Sequence, residues 1–203
     1  MTDAAIFRDS DHHRDIAPPV ILIRVIHNVA IFCASANGTD PLYCETAANL
    51  GRTLAERNIG LVYGGANVGL MRAVAEAALA ANGSVIGVIP EILVELEVAH
   101  HDITELHITD TMHTRKALMS EKADAFIALP GGFGTFEELF EVLAWQTLKL
   151  HAKPVVLLNI NGFYDKLLAF LDHCVDEGLL KSRNREILLV ASTVEEALTL
   201  LAA

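Results

Sequence analysis

The run Ala125-Phe126-Ile127-Ala128-Leu129-Pro130-Gly131-Gly132-Phe133-Gly134-Thr135-Phe136-Glu137-Glu138 joins an apolar strand to the start of a helix across a turn made mostly of glycine. A turn with so few side chains lets backbone N–H groups approach an anion closely, and the positive end of the helix dipole favours negative charge there. A phosphate is the natural guest for Gly131, Gly132, Phe133, Gly134 and Thr135. Glu138 then lies about one helical turn further on, placed to act on whatever the phosphate carries. The same spacing has a purely structural reading. Thr135-Phe136-Glu137-Glu138 matches the S/T-x-x-E capping box, in which the glutamate satisfies a backbone N–H. Glu137 and Glu141 read as a solvated helix face.

A second cluster is Met112-His113-Thr114-Arg115-Lys116. It sets two cations in the first turns of a helix, where the dipole disfavours them. An anionic partner nearby would relieve that misfit, and arginine is the better bidentate clamp for phosphate or carboxylate. Met119 reads as core or pocket lining. Ser35 is either a donor to phosphate or a turn cap. Two common nucleotide fingerprints fail. Gly64 to Gly69 imitates the glycine spacing of a P-loop, but Leu70-Met71 stands where Lys and Ser/Thr are required. Gly132-Phe133-Gly134 lacks the third glycine of GxGxxG, because position 137 is Glu.

These clusters need a scaffold, and the alternation of apolar runs with helical patterns supplies one. Strands are expected at 29–33, 59–63, 84–89, 105–108, 125–129, 154–159 and 187–190. Helices are expected at 41–57, with Asp40 as cap and Pro41 at the first position, and at 70–81, closed by Asn82-Gly83. Further helices are expected from an Asp110 cap to about 121, and over 135–150, 163–177 and 194–201. The strands are short and almost wholly apolar, as strands buried on both faces of a parallel sheet must be. The expected fold is a doubly wound, Rossmann-like open α/β sheet with helices on both faces, and ligands in such folds bind beyond the carboxyl ends of the strands.

Composition bounds the rest. The 203 residues are 52% apolar, enough for one domain with a substantial core. A net charge of −11 argues against a nucleic-acid or anionic-membrane partner. The three scattered cysteines form neither a disulfide framework nor a CxxC pattern, which suits a reducing cytoplasm. The nine histidines include no HExxH and no Cys/His cluster, so no metal is expected. The apolar stretch near residue 20 is broken by Arg24 and follows more acids than bases, unlike a signal peptide. Residues 1–27 are expected to be a poorly ordered extension and 28–203 a single domain. No other apolar stretch approaches the ~20 residues of a membrane helix.

Taken together, PGGFGTFEE at 130–138, MHTRK at 112–116, YGGANVGLM at 63–71 and KPVVLLNINGFYDKLL at 153–168 resemble the LONELY GUY family, the cytokinin riboside 5'-monophosphate phosphoribohydrolases long mislabelled as lysine decarboxylases. The resemblance runs from about residue 28 to about 190. It implies hydrolysis of the N-glycosidic bond of an N6-modified AMP, or of AMP itself, to free base and ribose 5-phosphate. It implies Arg115 and Glu138 as the catalytic pair. The implied substrate-binding set is Ser35, Gly65, Glu97, Met112, Lys116, Met119, Gly131, Gly132, Phe133, Gly134 and Thr135. No cofactor is implied. A homodimer is, with the site at or near the interface. The family often has Thr six residues after the glutamate, where this chain has Ala144, so one contact is expected to be missing or supplied otherwise. The alternative is a carrier of the same fold that binds a nucleotide or molybdenum cofactor without cleaving it. A decarboxylase would need pyridoxal phosphate on a lysine, and no motif supports one.

Overall fold

The computed structural model describes residues 25–94 and 99–202. Seven strands form one fully parallel sheet: β1 (Asn28–Phe32), β2 (Gly60–Tyr63), β3 (Val85–Pro90), β4 (Glu105–Thr109), β5 (Ala125–Ala128), β6 (Val155–Leu158) and β7 (Leu188–Ala191). Their spatial order is β4-β3-β2-β1-β5-β6-β7. The chain builds outward from β1 in one direction, returns, and builds outward from β5 in the other. The reversal falls between β1 and β5, paired from Val29↔Ala125 to Phe32↔Ala128. Every residue of β2, β3, β5 and β6 is buried, whereas the edge strand β4 is half exposed. The continuous apolar runs therefore mark the strands covered on both faces.

The helices are α1 (Pro41–Glu56), α2 (Gly69–Ala80), α3 (Glu91–Val94), α4 (Met112–Lys122), α5 (Phe133–Thr147), α6 (Asp165–Asp176), α7 (Ser182–Arg185) and α8 (Val194–Ala202), with a short 3-10 turn at Ile160–Gly162. One core packs Val29, Ile31 and Val156 of the sheet against Leu50 and Leu54 of α1, Val74 of α2 and Leu198 of α8. The opposite face packs Ala30, Phe32 and Phe126 against Met119 of α4 and Leu139 and Val142 of α5. The doubly wound α/β expectation therefore holds. Asp40 caps α1 by accepting from Leu42 N (2.9 Å), with Pro41 at its first position, also as expected.

Two expected caps differ. α4 is capped by Thr111 and not by Asp110: Thr111 Oγ1 accepts from Thr114 N, and Thr114 Oγ1 accepts from Thr111 N, while Asp110 accepts the Thr114 hydroxyl (2.6 Å). α5 begins two residues earlier than expected. Gly132 is its N-cap, no side chain caps it, and Thr135 and Glu138 lie inside the helix, so the capping box does not form. The expectation for residues 1–27 falls mainly outside the described residues. His27, the last residue before β1, and Asn28, the first within it, both donate their backbone N–H groups to Asp124 Oδ2.

Candidate active site

The carboxyl ends of β1 and β5 are where the strand order reverses, and a crevice at such a switch point is the usual ligand site of this architecture. Two contacts fix its walls. Ala34 N donates to Pro130 O (3.3 Å), tying the two strand ends together, and the buried Tyr164 hydroxyl donates to Leu129 O (2.6 Å), anchoring β5 just before the glycine turn. A cavity of ≈ 290 Å³ opens there, lined by Ile31, Cys33, Ala34, Ser35 and Ala36 after β1, Gly64 after β2, Met71 of α2, Arg115 of α4, and Gly132, Phe133, Gly134, Thr135 and Glu138 of α5. This lies at the lower end of the range for small-ligand sites.

Arg115 is only 7% exposed. Its Nε donates to Val88 O (3.1 Å), its Nη2 to Gly64 O (3.3 Å), and its Nη1 meets Met112 Sδ (3.8 Å). A carbonyl within β3 and one just after β2 thus hold the fork in a fixed plane. Nη2 also lies 3.7 Å from Glu138 Oε1, a buried charge contact rather than a hydrogen bond. Glu138 is 9% exposed. Burial pushes its carboxyl up to about 7, against the pull of the Arg115 guanidinium. A carboxyl that titrates near neutrality beside a fixed cation, inside a cavity, is the electrostatic pattern of a working acid or base. The Cys33 thiol lines the same space and is pushed up by burial first and by Glu138 second, so it stays protonated.

α5 enters the cavity with Gly132 as its N-cap and no capping side chain, so its first backbone N–H groups and its positive dipole end are turned to the crevice. Glu138 follows four residues after Gly134, about 6 Å along the axis. An anion at the helix start and a carboxylate a short span away is an arrangement that can grip one end of a phosphorylated molecule and act on the other.

Seven of the residues read from the sequence meet here: Ser35, Arg115, Gly132, Phe133, Gly134, Thr135 and Glu138. The others stand elsewhere. Gly65 packs against Val88 and Ile89, and it is its neighbour Gly64 that lines the cavity. Gly131 faces Thr135 and borders an adjoining hollow with Tyr43 and Phe163. Met112 touches the outer side of Arg115, and Met119 is buried in the core beneath α4. Lys116 turns away to α5, where it pairs with Glu137 and Glu141, so those two carboxylates are not merely a solvated face. Glu97 lies outside the described residues. Ala144 lines a separate apolar groove with Phe140 and Leu143, so that position does not face this cavity. Sequence reading did not count Gly64, Cys33 or Met71 among the site residues; their signal was position, at the carboxyl end of a strand or the start of the helix that follows.

Comparison with known proteins bears on the same residues. Residues 71–201 match the family model described as "Possible lysine decarboxylase". The chain is 48% identical over 173 residues to the cytokinin riboside 5'-monophosphate phosphoribohydrolase LOG2 of Arabidopsis thaliana, covering 85% of this chain and 81% of that one. It is 49% identical over 172 residues to the cytokinin riboside 5'-monophosphate phosphoribohydrolase of Rhodococcoides fascians, covering 84% and 87%. Among solved structures it resembles the molybdenum cofactor binding protein of Rippkaea orientalis (TM-score 0.63, 26% identity, 85% of this chain and 92% of that one). It also resembles the molybdenum cofactor carrier protein of Chlamydomonas reinhardtii (TM-score 0.63, 22% identity, 85% and 93%), at an identity that speaks for the fold alone. The extent of both sequence matches, with the paired Arg115 and Glu138 stretches inside them, places the chain in the LONELY GUY family of cytokinin riboside 5'-monophosphate phosphoribohydrolases.

Proposed function

We propose that this protein hydrolyses the N-glycosidic bond of adenosine 5'-monophosphates, N6-modified or plain, releasing the free base and ribose 5-phosphate. The observation that carries this reading is the buried Glu138 carboxyl facing Arg115 inside a cavity entered by the bare N-terminus of α5. The 5'-phosphate rests on Gly132, Gly134 and Thr135 at that helix start, with Ser35 as a further donor. The ribose lies along the first turn of the helix, so that its anomeric carbon comes to Glu138.

As the bond to the base breaks, its electron pair leaves with the base and positive charge builds on the ribose. An ionised Glu138 stabilises that charge and takes a proton from the attacking water, whose oxygen bonds to the anomeric carbon; the base takes up a proton from solvent, and Glu138 later returns its own there. Arg115, held by Val88 O and Gly64 O, draws Glu138 toward its ionised form and orients it. The reaction requires no metal or organic cofactor. Relatives 48–49% identical over most of their length, named for this activity, favour it over cofactor carriage, which rests on likeness of fold.

Residues 28–203 act as one nucleotide-hydrolase domain in the cytoplasm, with neither nucleic acid nor membrane as partner. No helix among the described residues is long and apolar enough to cross a membrane. The working unit is a homodimer whose partner closes the site. The 94% exposure of Phe133 supports this, because the ring stands at the cavity mouth, where a partner subunit would cover it and the site together.

The test is to incubate the protein with N6-isopentenyladenosine 5'-monophosphate, AMP and the two unphosphorylated nucleosides, and to separate the products by chromatography. Free base from the monophosphates and not from the nucleosides is the expected result. Bound but uncleaved monophosphates would instead favour the carrier.

A further inference from the structure

Arg115 and Lys116 are consecutive on α4, yet only Arg115 reaches the cavity. Lys116 crosses to α5, pairing its ammonium with Glu137 and, at 3.0 Å, with Glu141. Its side chain is 8% exposed, whereas those of Glu137 and Glu141 are 50% and 23% exposed, so the cation is the buried partner of the three. Glu137 and Glu141 stand four residues apart on one helix face, where like charges repel unless a cation lies between them. Behind Glu138, a small interior space between the helices is bordered by Lys116, Glu138 and Glu141 together. Glu138 therefore has Arg115 on its cavity side and Lys116 on its inner side.

A lysine that binds a mobile phosphate needs its ammonium free in the cavity. Here both the burial and the two carboxylate partners commit it to the helix pair. Building on the hydrolase reading above, we propose that Lys116 is a positioning residue: clamped between Glu137 and Glu141, it locks α5 against α4 so that Glu138 faces Arg115.

The clamp also carries charge. Glu138 is faced by Cys33 at the end of the β1 side, by Arg115 and Lys116 from α4, and by Glu137 and Glu141 from α5. The nearby phenols of Tyr63 and Tyr164 are turned to His100 and Leu129 O. Burial and the two flanking glutamates hold the Glu138 carboxyl up, and the two cations pull it down. Although burial alone pulls Lys116 down, its bonds to Glu137 and Glu141 hold it above its usual value, so it stays charged.

The experiment follows the Glu138 side-chain carboxyl by 13C NMR against pH in the substrate-free full chain, the signal being identified by its loss in Glu138→Gln. Wild type is compared with Lys116→Met, Lys116→Arg and Glu137→Gln, and kcat and KM for base release are measured on the same samples. In Lys116→Met the Glu138 midpoint should rise by about one unit, and kcat should fall about tenfold or more with KM within about twofold. Lys116→Arg should recover most of the loss. Glu137→Gln, which leaves the pair with Glu141 and tests the idea should Lys116→Met fail to fold, should lower the midpoint. An unmoved Glu138 midpoint in the variants overturns the proposal whether or not the protein cleaves nucleotides. A raised KM at unchanged kcat overturns it in favour of direct substrate contact. Failure of the hydrolase reading alone would appear as absent base release with the midpoints still shifting.

Discussion

The turn after β2 and the turn after β5 both bring glycines to the carboxyl end of the sheet, yet their surroundings differ. A Cβ on Gly64 would lie 2.1 Å from Arg115 Nη2 and 3.1 Å from Met71 Sδ, and one on Gly69 would lie 2.3 Å from the backbone of Ser35. Those positions are glycine because the protein itself fills the space. A Cβ on Gly132 or Gly134 would meet nothing within 4 Å. Those positions are glycine although the protein leaves them room, at a helix start where another residue would be more stable. The first turn seats the Arg115 guanidinium, and the second leaves open a surface that this chain does not fill.

Glu138, set between the two, offers the largest effect. Glu138→Gln should lower base release by about a thousandfold or more. Its stability profile sharpens the point. The carboxyl titrates near 7 in the fold against 4.5 for an unburied one, so between those values the folded state holds the extra proton. Stability therefore falls as pH rises through that window, by on the order of 3 kcal/mol, and the penalty is complete above pH 7. Melting curves should show the wild type losing ground to Glu138→Gln from pH 4.5 to 8. A parallel pair of curves would mean that Glu138 is not a strained carboxyl.

Next in size is Gly64→Ala, which should push the guanidinium off its two carbonyls. A fall in kcat of about a hundredfold is expected, with a modest loss of melting temperature. Wild-type turnover would break the link between this turn and Arg115. The smallest effect is the most diagnostic of the second turn. Gly134→Ala should stabilise α5 by about 0.5–1 kcal/mol, because alanine suits a helix better. It should also raise KM about tenfold by crowding the phosphate. Gain of stability with loss of affinity is the mark of a glycine kept for a ligand, and loss of both would place Gly134 with Gly64.

Much of this was legible before the fold was known. Buried parallel strands announce themselves as unbroken apolar runs, and the half-exposed edge strand β4 as a mixed one, so all seven appeared within a residue or so of their observed ends. α3 and α7 did not, because four residues are too few to display a helical period. Charge on a helix start pointed to an anion near Arg115 and Lys116, but spacing cannot say which side of α4 each cation leaves by. One found Glu138 and the other found Glu137 and Glu141. The S/T-x-x-E pattern left Glu138 with two readings, and the structure removes the cap: a glycine N-cap earlier in the chain had already started the helix, leaving Thr135 and Glu138 free to face the cavity. Gly64 and Gly65 are indistinguishable in sequence, and only the path of the Arg115 side chain separates them.

The measurement that tests the central claim most directly is the pH dependence of kcat/KM for base release from AMP and from N6-isopentenyladenosine 5'-monophosphate, with Glu138→Gln run alongside. The profile of kcat/KM reports groups of the free enzyme. The structure predicts activity that rises through an acidic limb centred near pH 7 in the wild type and base release that all but vanishes in the variant. Base release by Glu138→Gln at the wild-type rate, or a limb in the ordinary carboxylate range, would contradict it.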